Sequence, residues 1–560
     1  MLRDESRRTR RRFCALAMSL LCGLAPRVSD AQQGVALDQG GALLSAGDEI
    51  AYLRIRALTD TSLVPLTIQP LSARSSARLR EWAAATNGPW QGRFAPTGAN
   101  ALSAPRSVGA LRWWVLRPDA AVTYHSALPL SRNDGVVWNG RGVTTSVQGG
   151  LGMQWRGLEV QLAPIAFSAQ NGEFALAPNG RTGDFVYADP RFPGNIDHVQ
   201  AFGPSTYSRL DAGESFIRFE AYGASIGLSN ARMTWGPARE YPLVMSTNAG
   251  GFAHYFIGTS EPANVWIGTV QARLIGGRIE QSAYSPVDTG RTHRFTSGFV
   301  ASFSPRGLRG LEIGGTRVMQ VRWPEGGPSL SQMMRPFQTV VSNPDEGAAP
   351  NQNTENGFAS AFVRIAPPGS GLEAYAEISR EDFTGNLRAL IAKPDDLAQI
   401  TLGLARTVLR GDGGMSVLRI ELVNGELSAA ERGQRGLNRP IPSYTHSQTR
   451  QGLTSRGQIL GSPVAYGGSG GTITWERYEA RGRTSIQLER QLRLDWLPAL
   501  GSTGGTEQAE TLYGIRYERS RFLGARELTL TVAPSRVLNR NLVVGNDLWN
   551  LELGARWRGW

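Results

Sequence analysis

The chain has 560 residues, a formal charge of +12 from 59 Lys and Arg against 47 Asp and Glu, 67 Gly and two Cys. Both cysteines, Cys14 and Cys22, lie within the first 31 residues, which excludes a disulfide framework or a Cys metal site from residues 32–560. No later apolar run could span a membrane as a helix, while the basic balance suits anionic partners, whether lipid head groups or acidic polymers.

In chain order, residues 1–31 read as a signal peptide. MLRDESRRTRRRF is a basic n-region, CALAMSLLCGLA a short apolar h-region, and VSDAQQ offers cleavage after Ala31. TRRRF also fits a twin-arginine signal, so the export route stays open, but on either route the mature chain leaves the cytoplasm. Removing this segment takes away seven Arg and three acidic residues, so the formal charge falls from +12 to +8, and Lys393 is the only Lys in the chain.

Residues 32–110 do not alternate. SAGDEIAYLRIRAL offers Ser45 or Asp48 as a helix cap, SARSSARLREWAAA offers Ser75 or Ser76 before a second short helix, and Pro65, Pro70 and Pro89 punctuate the pieces. A small helical segment, serving as a periplasmic plug for the remainder of the chain, is the economical reading.

From 111 to 560 the pattern changes to period two. In VTTSVQGGLGMQW, Val143, Val147, Leu151, Met153 and Trp155 share one phase and Thr144, Ser146, Gln148 and Gln154 the other. The same device recurs at Ile217–Ala221, Leu372–Ile378, Leu418–Leu422 and Trp549–Trp557, with Arg and Glu on the polar phase. A soluble sandwich alternates too, but here the connections alternate between short and long. Short turns fall at 156, 223, 276 (GG), 305, 367, 410, 480 and 523. Long loops fall near 127–142, 169–213, 232–262, 285–294, 323–354, 380–395, 425–468, 495–509 and 534–545. Roughly eighteen strands with short turns on one rim and long loops on the other predict an all-β, closed antiparallel transmembrane barrel, which satisfies its backbone without apolar helices. The final Trp560 resembles a barrel's terminal aromatic but is out of phase with Trp557, a slip Gly559 can absorb as a bulge.

Chemistry is scarce along this pattern. YGGSGG carries the letters GxSxG around Ser469, yet it runs into the strand TITWERY and no His follows, so it lacks the context of a nucleophile elbow. His125, His198, His254, His293 and His446 show no metal spacing. His125 and Ser126 are neighbours on a strand and point to opposite faces, so they form no dyad there. Neither a catalytic residue nor a cofactor is expected.

The long loops hold more detail than a pore wall requires. They include SRNDGVVWNGRG (131–142), TWGPAREYPLVMSTNAGGFAHYFIGTSEP (234–262), RIEQSAYSP (278–286), RGLEIGGTRVMQVRWPEGGP (309–328) and YTHSQTRQGLTSRGQILGSPVAYGGSGG (444–471). In these stretches, and over most of the chain from about residue 47, the sequence resembles the Wzi family of capsule assembly proteins. The resemblance implies an eighteen-stranded outer-membrane barrel, an N-terminal helical plug, and a lectin-like role in attaching capsular or extracellular polysaccharide to the cell surface. The implied partners are such a polymer, of acidic character, with outer-membrane lipid and lipopolysaccharide around the wall. Nucleic acid is not expected, and a monomer is.

A sugar-binding face needs flat aromatics for C–H faces, side chains that bond hydroxyls, and Arg for uronate or phosphate groups. The outer loops offer Asp134, Trp138, Asn139, Arg141, Trp235, Arg239, Tyr241, Asn248, His254, Arg456 and Gln458, with Tyr255 and Trp323 beside them. For each of these, a loop packed onto itself or folded into the lumen is at least as good a reading. A porin is the competing reading, since charged lumen faces suit a channel, and an outer-membrane hydrolase is a third.

Overall fold

The computed structural model describes residues 43, 45, 47–60, 66–94, 106–337, 355–381, 387–392, 398–426, 443–446, 449–493 and 509–559. The expected signal peptide with its cleavage after Ala31, Lys393 and the terminal Trp560 lie outside the described residues.

Eighteen antiparallel strands close into one barrel. They are β1 (Leu111–His125), β2 (Gly142–Trp155), β3 (Leu158–Leu162 continued as Ile165–Ala169), β4 (Tyr207–Asp211 continued as Phe216–Ala221), β5 (Ala224–Ser229) and β6 (His254–Thr259 continued as Ala263–Val265). Next come β7 (Gly268–Glu280), β8 (His293–Pro305), β9 (Leu311–Arg322), β10 (Glu355–Ile365), β11 (Leu372–Glu381) and β12 (Ala398–Leu409). The last are β13 (Met415–Asn424), β14 (Ser469–Glu479), β15 (Gly482–Arg493), β16 (Glu510–Leu523), β17 (Arg526–Leu538) and β18 (Leu548–Arg558). Closure is β18 on β1, from Glu552 opposite His125 to Arg558 opposite Asp119.

Alternation decides which face meets lipid. On β2, Val147 and Leu151 are exposed outside, whereas Glu159 of β3 and Arg218 of β4 are buried inside, facing each other in register with Arg218 Nε donating to Glu159 Oε2 at 2.7 Å. Charges that lipid would reject are thus paired inside, where each offsets the other's desolvation. No described helix is long and apolar enough to cross a membrane, and the strands do the crossing.

One sequence expectation holds its bound and another moves. The strand before SRNDGVVWNGRG begins at Leu111, and its register shifts between Leu116 and Asp119 around Pro118, which has no N–H to give the ladder. The GG at 276 is not a turn. Gly276 and Gly277 sit inside β7, and the reversal falls at 266–267, so Trp266 lies in the turn itself. A Cβ on Gly276 would lie 2.0 Å from the Tyr255 hydroxyl of β6, so the glycine makes room for a ring on the neighbouring strand. Gly559 adopts φ +105° and donates to Pro118 O at 2.9 Å.

Inside the short-turn end lie α1 (Asp48–Leu58), α2 (Ala73–Ala85) and α3 (Gln91–Phe94). The caps differ from those expected. Gly47 precedes α1, with Asp48 and Glu49 in its first turn, and Ser72 caps α2 by accepting from Ser75 N at 3.0 Å. Ser45 instead donates to Arg232 O at 3.0 Å, Ser75 Oγ donates to Ser260 O at 3.0 Å, and Ser76 Oγ accepts from Leu43 N at 3.1 Å. Tyr52 stacks on Trp90 at 4.7 Å, and both rings meet Tyr478 of β14. Charge completes the docking: Asp48 pairs with Arg558 (2.6 Å), Arg54 with Glu373 (2.9 Å) and Arg93 with Glu527 (3.3 Å).

One outer connection folds down the outside of the wall. Residues 330–337 hold two short helical turns, and Phe337 lies 4.6 Å from Phe299, an outward residue of β8. Phe295, Ser297 and Met319, also on the outward phase, are thereby buried rather than lipid-facing.

Candidate functional site

The loop between β5 and β6 (230–253) turns into the lumen. Its Arg239, Glu240 and Tyr241 amides donate to one carboxylate, Glu421 of β13, at 3.0, 3.0 and 2.7 Å, and Tyr375 adds its hydroxyl to the same group. Three convergent N–H donors make a small cage for a negative charge, so the strand acid acts as the peg on which the loop hangs. Deeper, Thr234–Trp235 pairs as a two-residue ladder with Ile68–Gln69 of the plug segment, and Arg54 of α1 donates to Pro237 O at 2.7 Å. The plug and this loop therefore meet in mid-lumen.

A second loop (425–468) covers the first. Ser246 N donates to Leu460 O and Asn248 Nδ2 to Ile459 O, both at 2.8 Å, and Tyr444 Oη reaches Leu243 O at 2.7 Å. Leu243, Val244, Met245, Leu453 and Ile459 are sealed together with Val300 and Val318 of the wall. The middle of the lumen is thus a packed apolar core of the kind found in soluble domains.

The loop between β1 and β2 (126–141) lies across what space remains. Asp134 Oδ2 accepts from Arg132 N at 2.7 Å and Ser131 Oγ at 3.1 Å, Asn133 Nδ2 donates to Glu240 O at 3.0 Å, and Gln458 Nε2 donates to Gly135 O at 2.9 Å. Below it is a chamber of about 490 Å³ against the plug, with Asp134 and Asn139 in its lining. Above it is a chamber of about 760 Å³ among the outer loops, lined by Trp138, Tyr241, Asn248 and Gln458 of the expected set.

The other expected residues lie elsewhere. Trp235 is wholly buried at the plug junction. Arg239 points into the interior, where burial and the nearby Arg419 and Arg54 charges lower its pKa. His254 opens β6 with Nδ1 2.7 Å from Phe252 O. Arg456 is engaged by Glu280 (2.7 Å) and Asp211 (3.1 Å), and Arg141 bonds Ser126 O at 3.3 Å and Glu173 O. Trp138 is itself fixed by Asn171, which accepts from its indole N–H at 3.1 Å, and by Phe202, edge-on at 5.0 Å.

Sequence reasoning missed several lining residues of the larger chamber. Gln487, Glu489 and Gln491 line it from the inward phase of β15, a position that the alternation QLERQLR makes readable. Asp189 and His198 come from the loop 170–206, where only the fold brings them near Tyr466. Asp189 accepts from Phe192 N (2.6 Å), Arg191 N (2.9 Å) and Tyr466 Oη (3.0 Å), with His198 Nδ1 at 3.1 Å. Burial alone would raise its carboxyl pKa, but these partners hold it below the ordinary range. Ser469 opens β14 in register with Asn424 and Leu492, in a strand rather than a strand-turn-helix elbow.

Residues 119–547 match the family model described as capsule assembly protein Wzi. A search of curated proteins gave no match. Among solved structures the chain is similar to Wzi of Escherichia coli, an outer-membrane protein involved in group 1 capsule assembly and described as a carbohydrate-binding β-barrel. The two share 15% identity over 92% of this chain and 99% of that one, with a TM-score of 0.57. Weaker likenesses are to OccK2 (OpdF) of Pseudomonas aeruginosa (8% identity, 80% of this chain and 96% of that one, TM-score 0.38) and to a BenF-like porin of Pseudomonas fluorescens Pf-5 (10%, 80% and 99%, TM-score 0.38).

Proposed function

The chain belongs to the Wzi family of capsule assembly proteins, and from that premise we propose that this outer-membrane barrel attaches capsular or extracellular polysaccharide to the cell surface as a lectin-like, non-catalytic protein. The observation that carries the reading is the division of the lumen: the interior is packed with plug and loops, while a chamber of about 760 Å³ stays among the loops of the long-loop end. Such a chamber, with aromatic and amide side chains converging on it, is built to hold a ligand rather than to pass one. A porin needs a continuous aqueous path, and the ladder between Ile68–Gln69 and Thr234–Trp235 crosses the place where it would run.

On this reading residues 1–31 are a cleaved signal peptide, 32–110 the plug segment and 111–560 the barrel. The barrel acts as a monomer among outer-membrane lipid and lipopolysaccharide, and its polymer is acidic. Of the sequence-selected residues, Trp138, Tyr241, Asn248 and Gln458 serve the chamber, and Asp134, Asn139, Arg141, Trp235, Arg239, His254 and Arg456 build the loops around it. The test is deletion of the gene, which is expected to leave polymer synthesis intact and release polysaccharide into the medium. Unchanged cell-bound polymer in the deletion strain would sink the assignment, and large steady currents from the purified protein in planar bilayers would favour the porin.

A further inference from the structure

One corner of the outer chamber carries more positive charge than its neighbours neutralise. Arg540 Nη1 contacts both carboxylate oxygens of Glu510 at 3.0 Å, and Asn541 N donates to Glu510 Oε2 at 2.8 Å. Arg493 reaches the same carboxylate only at 3.6 Å and keeps 41% of its side chain exposed. Arg191 lines the chamber as well, and its guanidinium has no ion pair among the described residues. Burial, together with the nearby Arg493 and Arg191 charges, pushes Arg540 below its ordinary value against the pull of Glu510. Three guanidiniums therefore gather around one carboxylate whose oxygens are already bonded.

The neighbouring acids do not redress this. Asp189 is fully buried and occupied by its backbone, Tyr466 and His198 partners, Glu489 is paired with Arg132, and Glu240 faces Arg419 at 3.6 Å. The Asp189 cage works on the cluster's behalf: by bonding the backbone of Arg191 and Phe192 it fixes the turn from which the Arg191 side chain projects. The same chamber is also lined by the apolar loop residues Phe174, Pro463, Val464 and Leu542. A cationic corner in a chamber that also offers apolar lining suits a ligand with an anionic substituent on a ring that presents C–H faces.

We propose that Arg191, Arg493 and Arg540 form an anion subsite that holds a carboxylate or phosphate group of a short glycan segment inside the outer chamber. The proposal rests on the polysaccharide-attachment reading and gives it an address. The chamber's size, within the range of roughly 300–1,000 Å³ that encloses small ligands, favours a chain end or short branch over a polymer running through. None of the three arginines was among the residues selected from sequence, and the arginines that were, Arg141, Arg239 and Arg456, are engaged or buried away from this chamber.

The experiment uses the full-length protein in detergent and oligosaccharides cut from the surface polysaccharide of the producing strain, in native, carboxyl-reduced and dephosphorylated forms. Native fragments are expected to bind, and the form stripped of its anion to bind roughly ten- to a hundred-fold more weakly, the usual worth of a charge-assisted contact. The form that loses affinity identifies carboxylate or phosphate. Arg191→Gln and Arg493→Gln, neither of which removes a close buried ion pair, should each weaken native binding while leaving binding of the stripped form unchanged. Equal affinity for native and both stripped forms, native binding by Arg191→Gln and Arg493→Gln as tight as wild type, or failure of every fragment to bind would each overturn the anion subsite. Those results leave polysaccharide attachment to be judged by the deletion strain, which overturns it separately if its polymer stays on the cell.

Discussion

Glu421 is the residue on which the lumen loop depends, and Glu421→Ala is the sharpest test of a sealed barrel. The substitution removes the acceptor of three backbone N–H groups, from Arg239, Glu240 and Tyr241, at 2.7 to 3.0 Å in a site only 3% exposed. At about 1.5–3 kcal/mol for each hydrogen bond to a charged group, the gross loss is on the order of 5–9 kcal/mol. Water entering the vacated space satisfies some of the freed donors, and the lost desolvation cost of the carboxylate returns more, so a net ~3 kcal/mol is the expectation. That is roughly a hundred-fold shift in the ratio of seated to unseated loop. Because Tyr241 lines the outer chamber and Trp235 closes on the plug, unseating should have two readouts: flickering conductance in planar bilayers where wild type is silent, and weaker polysaccharide binding. Glu421→Gln, which keeps one acceptor oxygen, should fall between. If Glu421→Ala is as silent as wild type and binds polysaccharide equally well, the peg is not what holds the loop and these three bonds do not decide its seating.

Acid should loosen the plug. Burial would raise the carboxyl pKa values of Asp48 and Glu49, but Arg558 and Arg483 hold the first, and Arg80 and Arg117 the second, below the ordinary range. Their stabilisation is therefore fully present above the unfolded value of about 4 and is lost as pH falls through the depressed folded values. The protection factors of the α1 amides, taken against their intrinsic exchange rates at each pH, should accordingly be flat from pH 8 to about 5 and fall only in stronger acid, and a fall already at neutral pH would contradict the pairing. Trp138→Ala removes an indole held by Asn171 and Phe202 and should cost about 3–5 kcal/mol, seen as lost polysaccharide binding and protease sensitivity of the loops 126–141 and 170–206; Arg141→Gln should change binding less than about two-fold. Gly276→Ala places a Cβ 2.0 Å from the Tyr255 hydroxyl and should yield little folded barrel by heat-dependent gel mobility, with Tyr255→Ala restoring it. Failure of that rescue would show that something other than the ring excludes a side chain there.

Gly276 also marks where reading the sequence runs out. A glycine pair between two alternating runs is a turn signal, because glycine enters positive φ freely, as Gly223 does beside Tyr222 in a true reversal. The same residue also serves where another group needs the volume of a Cβ, and that group here is a ring on the previous strand. Phase and loop length were enough for the barrel, since lipid outside and charge inside impose a period of two on every strand. They were not enough for the site. Trp235, Arg239 and His254 were selected as residue types that sugars need, with a fold into the lumen left open for each, and residue type alone could not choose between the two. A contrary signal was present: Leu243, Val244 and Met245 stand consecutively in the same loop, and three large apolar residues in a row belong in an interior. Arg493 ends β15 on the readable inward phase of Gln491, but Arg191 and Arg540 lie in two separate connections, and no spacing along the chain announces that the three meet.

The direction in which the loops fold then sets what the protein can do. A barrel of eighteen strands encloses more space than its own side chains fill, and an unfilled polar lumen conducts. Here the plug enters from one rim and the loops 230–253 and 443–468 from the other, and Ile68 of the plug segment meets them over Trp235 in apolar packing, with Ile68, Gln69, Thr234 and Trp235 all buried. Several of the wall's inward charges are engaged in fixing these insertions, Glu421 on one loop, Glu373 on the plug and Glu510 on the loop 539–547. Two spaces remain, the chamber of about 490 Å³ against the plug and the chamber of about 760 Å³ among the outer loops, and only the second is lined by loops of the long-loop end without the plug. A polymer on the cell exterior can reach the outer chamber without crossing the membrane, so on the proposed reading the packing that should block conduction also confines recognition to the outer face.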